Sequence, residues 1–495
     1  MGSEFSTGLR RATARRGSCG GWSRGGPVKE LLLLFPELVL SGTALLLILI
    51  ARRVRRAQAA GPWVVVAAVA AACSLWALSP EPPTTGFGGT IVSDRYARFF
   101  GVLFAANLAL VALLSVRHLA SERVPPAEYY ALLLLASTGM MLAVSAVDLL
   151  LLYLGLELMT LSSYVLVGIT RDKAAANEAS IKYFLLGSFA SALLLYGIAL
   201  TYGVTGATDF AAIASAVSRN NVAEHPLLLA AVGLLAGGLA FKIAAVPFHA
   251  WAPDVYQGAM APVAAFLAAG SKAAGLAALV RVCLVAFVLE QHIWSEMLVA
   301  LAALSVITGS LLAVSQSRMK RMLAYSSIAH AGYALLGLVA GTPAGASATM
   351  TYAFVYSFMT VGAFGVVIAL GPRGENLNGY RGLAASAPGT AAVMFLFLLS
   401  LTGIPPTAGF TAKFAVILSA VGAGYTALAV LAVLCTVVSA FFYLRVAVLM
   451  YMTEPQESHP ARLPVPVYAA LAIAAAVTIV GGIFPNTLAV WAVPP

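Results

Sequence analysis

Five ionisable side chains lie deep inside runs that are otherwise apolar: Glu157, Lys242, Lys272, His330 and Lys413. A carboxyl group, three amines and an imidazole are groups that pick up and release protons. One charge at a bilayer centre costs about 2.5–3.5 kcal/mol even on the most lenient scale, so such residues are seldom kept without a use. Two of the lysines also stand beside helix-breaking prolines: Pro247 lies five residues after Lys242, and Pro405 and Pro406 precede Lys413. Buried titratable groups next to broken backbone point to an ion or proton path across a membrane.

Each residue has to be weighed against a plain packing role. Glu157 lies nine residues after Asp148 and twelve before Ile169, which at 1.5 Å per residue is near mid-bilayer. It reads either as a neutral buried carboxyl or as a relay group. Lys242 sits in AFKIAAVPFHAWAPDVYQGA. Pro247 cannot donate to the Ile243 carbonyl and its ring clashes there, and freed backbone groups survive in a membrane only where protein or water satisfies them. The apolar run continues past Lys242, which argues against a snorkelling side chain. Glu157 and Lys242 are placed to pair across adjacent helices, each altering the other's proton affinity. Lys272, in GSKAAG, follows Pro262 by ten residues, and its small neighbours leave room for close packing and water. Lys413, in LTGIPPTAGFTAKF, has Gly403 and Gly409 about it, so an unwound segment is expected. His330 stands beside Ser326, Ser327 and Tyr333; it reads as a satisfied core histidine or as a shuttle between the lysines, to which its ordinary titration range is suited. Lys182 and His249, near helix ends, are secondary members. Arg281 and Arg445 read as snorkelling, and Phe441–Phe442–Tyr443 as packing.

These residues must be held by membrane helices. The 495 residues are 61% hydrophobic and 10% charged, against about 25% charged in a soluble domain, and mean hydropathy is +0.92. The chain is read as an all-α polytopic membrane protein with about 14 transmembrane spans: 30–50, 62–79, 96–114, 127–147, 148–169, 179–203, 226–250, 262–289, 294–314, 322–341, 345–370, 389–420, 425–452 and 466–489. The net charge of +10 does not imply nucleic acid, because the basic residues fall mostly in short loops. Fourteen of them lie in odd-numbered loops, against Arg95 and Arg219 in even ones with Arg98 at a helix start. By the positive-inside rule the odd loops are cytoplasmic and both termini lie outside. Residues 1–29 contradict this with six basic residues and no 7–15-residue apolar core. They are set aside as a basic extension: a disordered arm, cloning-site residues (GSEF) or a misassigned start. Residues 30–495 form one transmembrane domain, in which the loops 204–225 and 371–388 have room for a short surface helix.

The four cysteines are scattered, and no metal-ligand spacing or nucleotide loop occurs. No metal or cofactor is expected in this chain, so any redox chemistry belongs to a partner. On the orientation above, the seventh span runs inward and the twelfth outward, and both are proline-broken and carry a lysine. Breaks five spans apart imply two inverted five-helix repeats, spans 4–8 and 9–13, with spans 7 and 12 discontinuous.

At these motifs the chain resembles a known family. FKIAAVPFHAWAPDVYQGAMAPVAAFLAAGSKAAG, MKRMLAYSSIAHAGYALLG and LTGIPPTAGFTAKF are similar to the antiporter-like membrane subunits of respiratory complex I, and VSDRYARFF and LNGYRGLAASAP to their subunit N branch in bacterial NADH:quinone oxidoreductase. The resemblance runs from about residue 30 to the end. It implies that Glu157 modulates Lys242, that Lys272 is the central-axis lysine, and that Lys413 ends the exit half-channel, where subunit M has glutamate. It also implies redox-coupled proton pumping, with FMN, iron–sulfur clusters and quinone in partner subunits, neighbouring antiporter-like and small membrane subunits, and a bacterial inner membrane. The rival readings are a D-like component of a multisubunit Na⁺/H⁺ antiporter, a membrane subunit of an energy-converting hydrogenase with a nickel–iron partner, and an inactive structural anchor.

Overall fold

The computed structural model describes residues 27–52, 57–78, 82–220, 225–454 and 464–495. The basic extension lies almost wholly outside the described residues, as do Arg53, Arg55, Arg56 and Arg462 among the loop charges. The chain opens with α1 (Pro27–Leu33), α2 (Phe35–Leu49) and α3 (Ala57–Ala77), then an antiparallel hairpin of β1 (Thr84–Gly86) and β2 (Ile91–Ser93). Helices α4 (Arg95–Ser121), α5 (Pro126–Ser145), α6 (Leu149–Val167), α7 (Ala174–Thr205) and α8 (Phe210–Asn220) follow. Next come α9 (Pro226–Ile243), α10 (Trp251–Gly258), α11 (Ala261–Phe266), α12 (Lys272–Arg281), α13 (Gln291–Val314), α14 (Met319–Val339) and α15 (Pro343–Leu370). The chain closes with α16 (Leu383–Ser386), α17 (Pro388–Thr402), α18 (Ala408–Gly422), α19 (Thr426–Tyr451), α20 (Val465–Ile483) and α21 (Pro485–Trp491).

Among the described residues, twelve helices are long and apolar enough to cross a membrane by length and composition. Two expected spans look different. The first is the 15-residue α2, and the twelfth is divided between α17 and α18. The junction at Asp148 is a real helix start: its carboxylate accepts from the Leu150 and Leu151 amides at 2.8 and 3.1 Å, an N-cap. The architecture is all-α as expected, apart from the short β1–β2 hairpin in one loop. Phe87, Gly88 and Gly89 take φ of 52, 70 and 92°, a left-handed turn that glycine makes inexpensive. Strands of three residues leave no period for sequence patterning to detect.

The loops sort onto two faces. The β-turn, the α5–α6 junction and the segment before α8 are joined by Val147 N–H to Thr90 O, Leu149 N–H to Thr208 O and Phe210 N–H to Val147 O, each 2.9 Å. These are even loops. Odd loops meet likewise, through Lys173–Glu122 at 2.5 Å, Lys320–Glu375 at 2.8 Å and Leu377 N–H to Ser317 O at 3.1 Å. The C-terminal residues Val493–Pro495 line a pocket with Pro82, Pro83 and Arg95, on the even-loop side.

Burial follows the charges. The most hydrophobic stretches of Ala261–Ala286 and of α15 are wholly buried, and that of α14 is 94% buried, so the helices carrying Lys272 and His330 form the centre. Helices such as α7, α13 and α19 turn large apolar side chains outward, among them Phe189, Leu311 and Val437.

Candidate proton path

The path begins where glycine lets two helices touch. A Cβ on Gly139 of α5 would lie 2.5 Å from the Met159 amide, and one on Gly155 of α6 would lie 2.6 Å from the Ala143 amide. Only a side chain of one hydrogen fits, and this fixes the face of α6 that carries Glu157. The Glu157 carboxylate accepts from Lys242 Nζ at 3.2 Å and from Ser191 Oγ of α7 at 2.5 Å. Lys242 Nζ also donates to Thr160 Oγ1 at 2.7 Å. The pair is lopsided in burial: the Lys242 side chain is 2% exposed and that of Glu157 17%. Charge is therefore compensated deep in the protein while the carboxylate keeps an edge toward the periphery.

The helix holding Lys242 does not continue past it. α9 ends at Ile243, and Ala244 is left-handed with φ 56° and ψ 42°. Pro247 thus lies within an unwound stretch whose start is set three residues earlier. Its freed backbone is satisfied: Val246 N–H donates to Ser305 Oγ at 2.8 Å and Trp251 Nε1 donates to Phe241 O at 3.0 Å. Beyond α10 and α11, residues Leu267–Ser271 form a π-turn directly before Lys272, a distortion common at functional sites. Lys272 Nζ donates to Ser327 O at 2.6 Å and is 2% exposed. Gly275, one turn on, brings α12 against α9, so that a Cβ there would lie 3.1 Å from Lys242 Cβ.

Lys272 and His330 line one cavity of about 10 Å³ with Tyr352 and Tyr356, about the room for a single water. Both imidazole nitrogens of His330 are engaged. Nδ1 lies 2.7 Å from Tyr352 Oη and Nε2 lies 3.3 Å from Tyr443 Oη, and Tyr443 also bonds Ser326 Oγ. The His330 ring packs against Tyr333 at 5.9 Å between centroids, and Lys413 Nζ lies 4.4 Å over the same tyrosine ring. Lys413 Nζ also donates to Leu401 O at 3.3 Å and Thr402 O at 2.9 Å. These are the last carbonyls of α17, left without helical donors by the break. Gly403, with φ 90° and ψ 48°, ends α17 as Ala244 ends α9.

The five residues expected from the sequence thus fall into a series, partly exposed at Glu157 and buried beyond it: Glu157 with Lys242, Lys272 with His330 across a cavity, and His330 with Lys413 through Tyr333. The two secondary members lie elsewhere. Lys182 is 44% exposed and pairs with Glu178 at 2.7 Å and Asp254 at 2.9 Å on the odd-loop side. Burial opposes ionisation of Asp254, but hydrogen bonds from Lys182 and Arg321 outweigh it and hold its carboxyl below the ordinary range. His249 lies in the unwound stretch, half-buried and within electrostatic reach of Lys272. Two arginines read as snorkelling do otherwise. Arg281 is 2% exposed and forks onto Asp94 through Nη1 and Nη2 at 2.9 and 3.0 Å, with Tyr96 stacked at 4.6 Å; the bidentate pair holds the charge in place inside the protein. Arg445 donates to Val314 O and Gln316 O, closing the C-terminus of α13. Tyr443, read as packing, brings its hydroxyl to His330. Its signal is a stripe of hydroxyls on α19 at Thr436, Ser439 and Tyr443, which bond Tyr333, Ser310 and Ser326 in turn. Among the described residues no three His, Cys, Asp or Glu side chains gather as a metal set.

A family model described as NADH:quinone oxidoreductase/Mrp antiporter, transmembrane, matches residues 146–439. The NADH-quinone oxidoreductase subunit N of Desulfovibrio desulfuricans is 44% identical over 484 residues, covering 93% of this chain and 96% of its own. A chain of respiratory complex I from Thermus thermophilus superposes with a TM-score of 0.79 at 34% identity, covering 92% of this chain and 98% of that one. A chain of the Mrp complex from Dietzia sp. superposes with a TM-score of 0.81 at 22% identity, covering 94% and 96%, a likeness of fold alone.

Proposed function

The chain belongs to the NADH:quinone oxidoreductase/Mrp antiporter transmembrane family, and from that premise we propose that it is the proton-translocating subunit N of a bacterial NADH:quinone oxidoreductase. The observation that carries the mechanism is the Glu157–Lys242 contact at 3.2 Å, closed by a nearly inaccessible lysine and a partly exposed carboxylate. Quinone reduction in partner subunits perturbs Glu157 from its accessible edge. When the pair loosens, Lys242 loses its counter-charge and gives up a proton toward Lys272. Lys272 hands a proton across the shared cavity to His330, His330 passes it toward Lys413, and Lys413 releases it beside the second break. Carrying one charge against 100 mV costs about 2.3 kcal/mol, and one unit of proton affinity is about 1.36 kcal/mol. Breaking one buried ion pair is therefore of the right size to drive a transfer.

The same reading treats the chain from residue 30 on as one domain of fourteen crossings, the twelve long helices together with α2 and the α17–α18 pair. Inverted repeats at spans 4–8 and 9–13 are supported by the matched breaks. In each, a left-handed residue donates its N–H to the carbonyls three and four residues back, and the next residue donates five back: Ala245 to Ala240 O and Ile404 to Leu399 O. With the odd loops cytoplasmic, both termini face the periplasm. FMN, iron–sulfur clusters and quinone belong to partner subunits.

The test is Lys242→Ala in the intact complex, reconstituted in sealed vesicles. Protons moved per NADH oxidised should fall while the subunit content stays that of wild type. An unchanged ratio would refute the path.

A further inference from the structure

The short helix α10 separates Lys242 from Lys272 in the chain, and eight residues do not hold a helix in place unaided. Trp251 is stacked on Tyr183 of α7 with ring centroids 4.6 Å apart, and four hydrogen bonds tie the helix down. Trp251 Nε1 bonds back to Phe241 O, and Lys320 Nζ donates to Ala259 O at 3.1 Å just past its end. The other two converge on Asp254: Lys182 of α7 on Oδ2 at 2.9 Å and Arg321 of α14 on Oδ1 at 2.7 Å. Close packing sets the register, since a Cβ on Gly258 would lie 2.5 Å from Ala179 Cβ of α7.

The helices tied together by Asp254 are those that serve the path. α7 supplies Ser191 to Glu157, and α14 supplies both the Ser327 carbonyl to Lys272 and the His330 ring. Unlike Lys242, the three charged groups are each 33–44% exposed, so water can replace their contacts and the tie can open without stranding a charge.

Resting on the proton path proposed above, we propose that Asp254 is a positioning residue for transfer between Lys242 and Lys272. Its bridge between Lys182 and Arg321 latches α10 to both halves of the molecule. With the latch closed, Lys272 stays on the Ser327 carbonyl and beside the His330 cavity while Lys242 sits at the end of α9. With it open, α10 and the π-turn that follows lose their register and the two lysines uncouple. No covalent bond changes; the proton itself passes between the path residues.

The experiment uses the intact complex in sealed vesicles, with native gels reporting its assembly. Protons per NADH lost in Lys242→Ala define the share this chain carries. Asp254→Asn should remove at least half of that share, and Asp254→Glu, which restores the charge, should recover most of it. Arg321→Gln cuts the tie to α14 alone and should lose a similar share; it decides the matter if Asp254→Asn does not assemble. Wild-type ratios in an assembled Asp254→Asn or in Arg321→Gln, or an Asp254→Glu no better than Asp254→Asn, overturn the latch and leave the path standing. A Lys242→Ala complex that pumps like wild type overturns the path and the latch with it.

Discussion

Lys413 is held by two backbone carbonyls and an aromatic face, so its positive charge is useful to the fold whether or not it moves a proton. Arginine separates the two roles, because a guanidinium keeps its charge and cannot be deprotonated in proteins. Lys413→Arg should therefore leave assembly at wild-type levels and lower the protons moved per NADH. Lys413→Ala should lose both, since each buried carbonyl left without a donor costs about 1–3 kcal/mol. Native gels with proton-uptake traces on the same preparations check this, and an arginine variant that pumps like wild type would remove Lys413 from the path. The charges were legible in the sequence because an ionisable residue among 61% hydrophobic ones is conspicuous. Their partners were not. Thr160, Ser191 and Tyr352 are common in membrane helices, and which of them meets an ionisable group depends on helix rotation and on neighbours 22 to 82 residues away in sequence, as for Tyr352 with His330 and Thr160 with Lys242.

The two broken helices end on left-handed residues of different kinds, and that difference is testable. Ala244 takes φ 56° with a Cβ and Gly403 takes φ 90° without one. A left-handed conformation costs about 1–2 kcal/mol for a residue bearing a Cβ. Gly403→Ala should destabilise the second break by about that much and crowd Lys413, whose Cδ would lie 3.3 Å from the new carbon. Ala244→Gly should relieve the cost at the first break. Thermal melts of the isolated complex should move in opposite directions for the two variants, and a shared direction would show that these residues do not set the breaks. The prolines announced both breaks in the sequence. They did not give the start of the first, which lies at Ala244 rather than at Pro247, because the helix end is fixed by backbone hydrogen bonds to Ala240 and Phe241. The π-turn before Lys272 has only a weak marker, the pair Gly270–Ser271, which disfavours regular helix without fixing the kind of distortion.

At the scale of the whole molecule, the alternation of crossings ties every other assignment together. If the even loops face the periplasm, the left-handed ends at Ala244 and Gly403 belong to helices of opposite direction, and the path crosses from one inverted half to the other. Backbone bonds already group the even loops around the β-turn, and two ion pairs with one backbone bond link the odd loops. What orients the pair of faces is the charge bias, which depends on loop arginines partly outside the described residues and is opposed by the basic extension. Exposed single cysteines give an independent reading. In a background with Cys19, Cys73, Cys283 and Cys435 replaced, Thr84→Cys on the hairpin and Ser317→Cys beside α14 each present a thiol at a solvent-exposed position. A membrane-impermeant maleimide added to intact cells whose outer membrane has been opened should label the first and spare the second, and breaking the inner membrane should reverse the protection of Ser317→Cys. Labelling in the opposite sense would invert the chain. The line from Glu157 to Lys413 would then keep its geometry and lose its direction, and Lys413 would no longer belong to the half that opens toward the periplasm.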